Sequence, residues 1–247
     1  MPSDADLRLS VVIPAFNEAR RLPATLEDVL AYLGRQSYRA EVVVVDDGSS
    51  DETARLVREW PAPPGTALRV IAHPDGRNHG KGAAVRRGMA DARGQYRLFM
   101  DADNSTTLDH VDAFWPWFDQ GYDMVIGSRG IEGAHVVIHQ PWFKELGGKL
   151  GNRFIRMLAA PGINDTQAGF KMFSQRCIED ILPALTIERW GFDVELIVAA
   201  RCRGYRVKEL PITWRNSFAS TVPATAYLQV LGEVWRVRKQ RAAGRYG

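Results

Sequence analysis

Residues 41–51 read Glu-Val-Val-Val-Val-Asp-Asp-Gly-Ser-Ser-Asp. Four valines in succession leave no polar position for a solvated face. A short β-branched run bounded by Asp, Gly and Ser reads as a strand covered on both sides, as in a parallel sheet packed between helices. Comparable runs recur at residues 9–13, 68–72, 96–100 and 123–127. Between them lie apolar residues at helical spacing, such as Leu22, Leu26, Val29, Leu30 and Leu33, and the segment 83–92. This alternation predicts right-handed crossovers and an α/β fold with a mainly parallel central sheet flanked by helices, in one domain over residues 1–247. Further along, the pattern predicts a helix over 142–159, a Gly-rich turn over 161–169, a helix over 192–202, and a strand with its exit over 205–213. A last amphipathic helix follows, with Ser220 or Thr221 as cap, Pro223 in its first turn, and Tyr227, Leu228, Leu231, Val234 and Trp235 at helical spacing.

The 247 residues include 32 Lys and Arg against 29 Asp and Glu, with 45% apolar side chains, which excludes disordered and collagen-like chains. No window holds eighteen uninterrupted apolar residues, and Asp4 and Asp6 stand where a signal peptide would be basic. Neither a membrane span nor a signal peptide is expected. Cys177 and Cys202 read as reduced core cysteines, so the expected location is cytoplasmic. The formal charge of +3 is too small to imply a nucleic-acid partner, but it is unevenly placed. Residues 232–247 carry Arg236, Arg238, Lys239, Arg241 and Arg245 against one acid, Glu233, a net +4 that leaves −1 for residues 1–231. A near-neutral body with a basic amphipathic end suits peripheral contact with anionic lipid headgroups.

In an open parallel sheet, ligands sit beyond the carboxyl ends of the strands. The residues after four of the strands are polar: Pro14 to Glu18, Asp46 to Asp51, Asp75 to Lys81, and Asp101-Ala102-Asp103. Asp51 reads as the cap of the next helix, but four polar exits on one edge point to a shared site. Asp101 and Asp103, two apart in what reads as an extended segment, present both carboxylates to one side and suit a hard divalent cation, Mg²⁺ or Mn²⁺, bridging a diphosphate. Gly80-Lys81-Gly82 is neither a P-loop, since Gly76 and Gly80 are three residues apart in between and Gly82 follows the lysine, nor a dinucleotide fingerprint, since Val85 replaces the last glycine. It remains a glycine-rich helix start suited to an anion. His135 and His139 have zinc-like spacing, but the β-branched residues between them and Pro141 after them argue for a loop or strand. Trp115, Trp117, Met172, Phe173, Leu196 and Ile197 read as packing residues.

Taken in order, the stretches VVIPAFNEARRLPATL, VVVVDDGSSDET, HGKGAAVRRGM, LFMDADNST, DMVIGSRG, DTQAGFKMF, ERWGFDVELIVAA and VKELPITW resemble the family 2 glycosyltransferases, which have the GT-A fold. The resemblance covers about residues 8–215. Within the family, residues 165–173 and 188–196 most resemble dolichyl-phosphate glucosyltransferases, with dolichyl-phosphate mannose synthases as near relatives. The resemblance implies a nucleotide-sugar-binding half over 8–130, an acceptor-side half over 131–215, and the basic helix over 216–247. Pro14, Phe16, Glu18 and Asp47, with Asp46 beside them, would shape the nucleoside pocket; Lys81 would face the diphosphate; Asp101 and Asp103 would hold the metal. Arg129 would hold a donor or acceptor phosphate, and Asp165, Gln167, Arg189, Trp190, Asp193 and Glu195 would line the acceptor side. Ser105 departs from the Gln frequent in mannose synthases, and Thr221 from a Lys in many relatives. The reaction so implied is inverting, metal-dependent transfer of a hexose, best read as glucose from UDP-glucose, to a polyprenyl phosphate at the cytoplasmic membrane face. The alternatives are GDP-mannose as donor, or a carbohydrate hydroxyl as acceptor with Asp165 as base. The intact Asp101 to Asp103 motif argues against a non-catalytic binding domain, and the missing basic glycine-rich loop after the first strand argues against a sugar nucleotidyltransferase.

Overall fold

The computed structural model describes residues 7–137, 160–215 and 226–247. The valine run lies in β2 (Arg39–Asp46), between β1 (Leu7–Ala15) and β3 (Thr66–Ala72). All three are parallel, with Val42 opposite Val11 on one side and Leu68 on the other. The four side chains divide evenly. Val42 and Val44 join a core with Leu9, Val11, Ile13, Leu22 and Leu26, whereas Val43 and Val45 join one with Val12, Ala84, Val85 and Met89. Alternation of side chains across a strand sends them to opposite faces, and each fully buried aliphatic side chain contributes about 1.5–3 kcal/mol. At the start of the strand, buried Glu41 accepts hydrogen bonds from Ser10 Oγ at 2.6 Å, Arg93 N at 2.7 Å and Arg69 Nε at 3.0 Å.

The first core is closed by α1 (Leu22–Leu33), α2 (Thr53–Glu59) and, later, α4 (Trp115–Asp119). The second is closed by α3 (Lys81–Asp91), α5 (Gln175–Ile181), α6 (Phe192–Cys202) and α7 (Ala226–Ala242). Asp51, expected as the cap of α2, instead precedes the cap residue Glu52, and its Oδ1 accepts the Thr53 N–H at 3.0 Å. Trp115 packs edge-on against Tyr38 and Tyr96. In α7 the buried stripe is Val230, Val234 and Val237, while Trp235, expected on that stripe, is half-exposed. The expected helix over 142–159, His139, and the capping residues Ser220, Thr221 and Pro223 lie outside the described residues.

The remaining strands are β4 (Tyr96–Met100), β5 (Met124–Ser128), β7 (Phe170–Ser174) and β8 (Val207–Pro211). With the first three they form a seven-stranded sheet in the order β3-β2-β1-β4-β7-β5-β8, while β6 (His135–Val136) pairs separately with β9 (Thr213–Trp214). Among the described residues, four of the six strand pairs in the large sheet are parallel, in keeping with a mainly parallel sheet. The exception is β7, which sequence patterning does not reveal as a strand and which runs antiparallel to both β4 and β5. Its direction sets Phe170 opposite Met100, so the segment before β7 arrives where β4 ends. The chain moves outward from β1 to β3 and then returns to place β4 on the other flank of β1. That reversal makes the carboxyl ends of β1 and β4 a topological switch point.

Helix α3 lies close to the sheet because Gly88 has no side chain: a β-carbon there would stand 2.4 Å from Val12 Cγ1 and 2.7 Å from Val45 Cγ2. Gly88→Ala is therefore expected to lower the unfolding free energy by about 1–3 kcal/mol through overpacking, although alanine is the better helix former. Urea denaturation of the two proteins checks this.

Candidate active site

A cleft of about 620 Å³ opens at the switch point, a size suited to a small-molecule ligand. Pro14, Phe16 and Glu18 line it from the exit of β1. Asn17 between them adopts a left-handed conformation (φ 56), a backbone state that asparagine tolerates better than most residues. Its Oδ1 accepts the Ser50 N–H at 2.8 Å and its own N–H donates to Ser49 Oγ at 2.9 Å, tying the β1 exit to the β2 exit. Arg21 holds both oxygens of Glu18, one through Nε at 2.6 Å. Phe16 is 46% exposed at the mouth, an aromatic face open to a ligand.

Asp47 lines the cleft and also fixes the turn that leads into α3. Its two carboxylate oxygens accept the N–H groups of His79 and Gly80, each at 2.8 Å. Asp46 lies behind the cleft and accepts the Ser49 N–H at 3.0 Å. Gly80 has φ 103, and a β-carbon there would meet the Glu188 carbonyl at 2.7 Å, so both conformation and space require glycine. Lys81 follows, with its ammonium in the cleft and 2.5 Å from Asp101 Oδ1. Burial acts to lower the Lys81 pKa, but the charges of Asp101 and Asp193 outweigh it and raise it above the usual amine value.

β4 stops at Met100, and Asp101-Ala102-Asp103 forms a turn rather than the extended segment expected from sequence. Asp103 Oδ1 accepts the Ser105 N–H at 3.0 Å, and Thr25 Oγ1 donates to the Ala102 carbonyl at 2.7 Å. Both aspartates still line the cleft. The segment before β7 closes over them: Asp101 N–H donates to the Gly169 carbonyl at 3.2 Å, and a β-carbon at Gly169 would stand 2.2 Å from Asp101 Oδ2. Asp101 Oδ1 is buried and, apart from the lysine charge beside it, has no aligned hydrogen-bond donor. Among the described residues, no group of three His, Cys, Asp or Glu converges to hold a metal by itself. Two carboxylates, one with an unaligned buried oxygen, suit a hard divalent cation such as Mg²⁺, which would need further oxygen ligands to complete its shell.

On the other side, Asp165 is buried and paired with Arg129. Its Oδ2 accepts from Arg129 N at 3.0 Å and Nε at 2.7 Å, and its Oδ1 from Nη2 at 3.0 Å. Burial favours the protonated acid, but the Arg129 charge and hydrogen bonds prevail and hold the carboxyl below its ordinary range. The guanidinium also lies over the Trp214 ring, 5.3 Å from its centre. Beneath the cleft, the fully buried Lys171 contacts Asp193 and donates to the Ala168 carbonyl at 2.5 Å. Burial pushes the Lys171 ammonium below its usual pKa and the Asp193 carboxyl above its own, and the contact between the two works against both shifts.

Arg129, Gln167, Arg189 and Trp190 line the cleft as the resemblance implies. Asp165 stands behind this lining and holds Arg129, whereas Asp193 pairs with the buried Lys171. Glu195 departs from its expected place, because its carboxylate is buried away from the cleft. There it accepts Thr186 N at 2.9 Å, Ile187 N at 2.8 Å and the Tyr246 hydroxyl at 2.8 Å. Sequence reasoning misses Arg21, Lys171, Trp214 and Gln229. Only Lys171 leaves a signal, a lysine inside the apolar run Phe170–Ser174 that must find a partner once buried.

The model of the family described as "Glycosyl transferase family 2" matches residues 10–182. The chain belongs to this family. The dolichyl-phosphate beta-glucosyltransferase of Dictyostelium discoideum is 32% identical over 245 residues, covering 94% of this chain and 74% of that protein. The protein of the same name from Homo sapiens is 32% identical over 251 residues, covering 96% and 76%. Among solved structures, mannosyl-3-phosphoglycerate synthase from Rubrobacter xylanophilus superposes with a TM-score of 0.70 at 20% identity, covering 98% of this chain and 76% of that one. Glucosyl-3-phosphoglycerate synthase from Mycobacterium tuberculosis, in complex with Mn²⁺, UDP-glucose and phosphoglyceric acid, gives 0.62 at 18% identity, covering 96% and 81%. At such identities the likeness is one of fold, and the fold of this glycosyltransferase is GT-A.

Gly169→Ala is expected to push the Asp101 carboxylate aside and to lower the unfolding free energy by about 1–3 kcal/mol through overpacking. Urea denaturation beside the wild-type protein checks this.

Proposed function

We propose that the enzyme transfers glucose from UDP-glucose to a polyprenyl phosphate, with inversion at C1, at the cytoplasmic face of a membrane to which it binds peripherally. The observation that carries this reading is the Arg129–Asp165 pair. A buried carboxylate bound through both oxygens to a guanidinium, with its pKa held low, is a poor general base. A sugar-hydroxyl acceptor needs such a base, whereas a phosphate oxygen is already anionic at neutral pH. The pairing therefore favours the anionic acceptor, in keeping with the names of the relatives. Ser105, which lines the cleft, departs from the Gln frequent in mannose synthases, and this weighs against GDP-mannose as donor.

Residues 8–130 then form the donor half and residues 131–215 the acceptor half of a single domain. Phe16 and Asp47 bound the nucleoside end, and Lys81 and Arg21 supply positive charge towards the diphosphate. Mg²⁺ or Mn²⁺ held by Asp101 and Asp103 would supply Lewis-acid stabilisation of the leaving diphosphate. Arg129, oriented by Asp165 and Trp214, and Arg189 with Trp190 would hold the acceptor phosphate on the opposite face of the sugar. The acceptor oxygen forms the new bond to C1 as the bond from C1 to the diphosphate oxygen breaks, and UDP leaves with that electron pair. Preorganised cations stabilise the charge developing on UDP without reorganising at the moment of transfer.

The outer face of α7 suits an anionic surface. Arg236, Arg238, Lys239 and Arg241 are exposed there, and the Arg238 guanidinium lies 5.4 Å from the ring centre of half-exposed Trp235. No helix among the described residues is long and apolar enough to cross a membrane.

Asp103→Ala is expected to lower transfer by about 10²-fold or more even at saturating Mg²⁺ or Mn²⁺. The expected product is a butanol-extractable, mild-acid-labile glucosyl lipid phosphate, and water-soluble oligosaccharide alone would sink the lipid acceptor. Asp165→Asn is expected to slow transfer through misplacement of Arg129 while leaving the shape of the rate profile between about pH 5 and 8 unchanged, since the carboxylate is ionised throughout that window. Loss of the acidic limb of the profile, where a general base becomes protonated, would instead make Asp165 the base. Replacing Arg236, Arg238, Lys239 and Arg241 by Gln keeps the buried Tyr246 anchor and is expected to weaken sedimentation with phosphatidylserine vesicles, most clearly at low salt.

A further inference from the structure

Helix α7 reaches the cleft through Gln229 and the loop beside it through Glu233. Gln229 lines the cleft, and one turn later Glu233 accepts the Gly191 N–H through Oε2 at 2.6 Å. Oε1 of the same carboxylate accepts Gln229 Nε2 at 3.2 Å. Gly191 immediately precedes α6, so the carboxylate stands at the positive end of that helix dipole. The fit is close, since a β-carbon at Gly191 would lie 2.7 Å from Glu233 Cβ. The loop held in this way carries Arg189 and Trp190 into the cleft. Its other side presses on the glycine turn of α3. Ala83 N–H donates to the Glu188 carbonyl at 2.9 Å, and a β-carbon at Gly82 would meet the Ile187 carbonyl at 2.7 Å.

We infer that Glu233 is a positioning residue, which ties α7 to residues 188–191 and thereby sets where Arg189 and Trp190 stand on the acceptor side. The inference rests on reading the cleft as the transfer site. It gives α7 a second role beside its cationic outer face: the helix suited to a lipid surface is linked by one side chain to the loop that would receive the lipid's phosphate. Glu233 touches no reacting atom and acts through the Gly191 N–H.

The test compares Glu233→Ala, which leaves Gly191 N–H without its acceptor, with Glu233→Gln, which keeps an amide oxygen in place. With UDP-glucose and a short polyprenyl phosphate, the alanine variant is expected to raise the acceptor KM by about tenfold while kcat and the donor KM stay within about twofold. The glutamine variant should recover most of that loss. Trypsin reads the loop without any substrate: cleavage after the exposed Arg189, followed by mass spectrometry, should accelerate severalfold in the alanine variant and much less in the glutamine variant. Unchanged cleavage, an equal loss in kcat and both KM values, or faster cleavage with an unmoved acceptor KM would each overturn the inference. If the wild-type enzyme transfers nothing to polyprenyl phosphate, the acceptor assignment fails, and the cleavage rates still decide whether Glu233 holds the loop.

Discussion

The Asp101 carboxylate packs against the bare α-carbon of Gly169, and the two backbones are joined by the Asp101 N–H at 3.2 Å from the Gly169 carbonyl. This apposition depends on β7 running antiparallel to β4. A parallel β7 would bring the 165–169 segment to the opposite edge of the sheet, away from the aspartates. With β7 reversed, the segment that bears Asp165 and Gln167 ends beside Asp101 and Asp103, and residues far apart in the chain share one cleft. The seven-stranded sheet is thus largely a scaffold for one close contact between two loops.

Charge is then arranged in alternation about that contact. Lys81 lies between Asp101 and Asp193, Lys171 reaches Asp193 from below, and Arg129 is held by Asp165. Buried ions are costly unless they are paired, so each of these side chains depends on its neighbour for its charge. A ligand that carries two or more negative charges enters a site whose cations are already fixed in place. The same pairing commits both Asp165 oxygens to the Arg129 guanidinium.

Much of this was legible in the sequence, and the limits are physical. The covered strand, the helix start at Gly80-Lys81-Gly82 and the Asp101 to Asp103 pair are local patterns, and they lie where patterning places them. What could not be read was pairing across long separations. Nothing in Phe170–Ser174 states its direction, because strand direction is set by the sheet that receives it. Asp165 and Arg129 are 36 residues apart, and Glu195 and Tyr246 are 51 apart. Resemblance put both carboxylates on the acceptor side. Only the fold distinguishes the one that holds a cleft arginine from the one committed to the interior. The turn at Asp101-Ala102-Asp103 likewise follows from Thr25 and Ser105, neither of which is part of the motif.

The valine run of β2 has a further consequence. Val42 to Val45 are identical, so a shift of β2 by one residue would exchange which valines face each core and still leave valine at three of the four positions, with Glu41 or Asp46 at the fourth. For most strands a one-residue slip is prohibited by the apolar pattern, but here that pattern is degenerate. Register must be set by the ends: Glu41 receives Ser10, Arg69 and Arg93 at one end, and Asp47 receives the His79 and Gly80 N–H groups just beyond the other. A slipped strand would bury Glu41 without its partners and release the turn before Lys81. Asp47, which lines the cleft, therefore also acts as part of the alignment key for the valine strand.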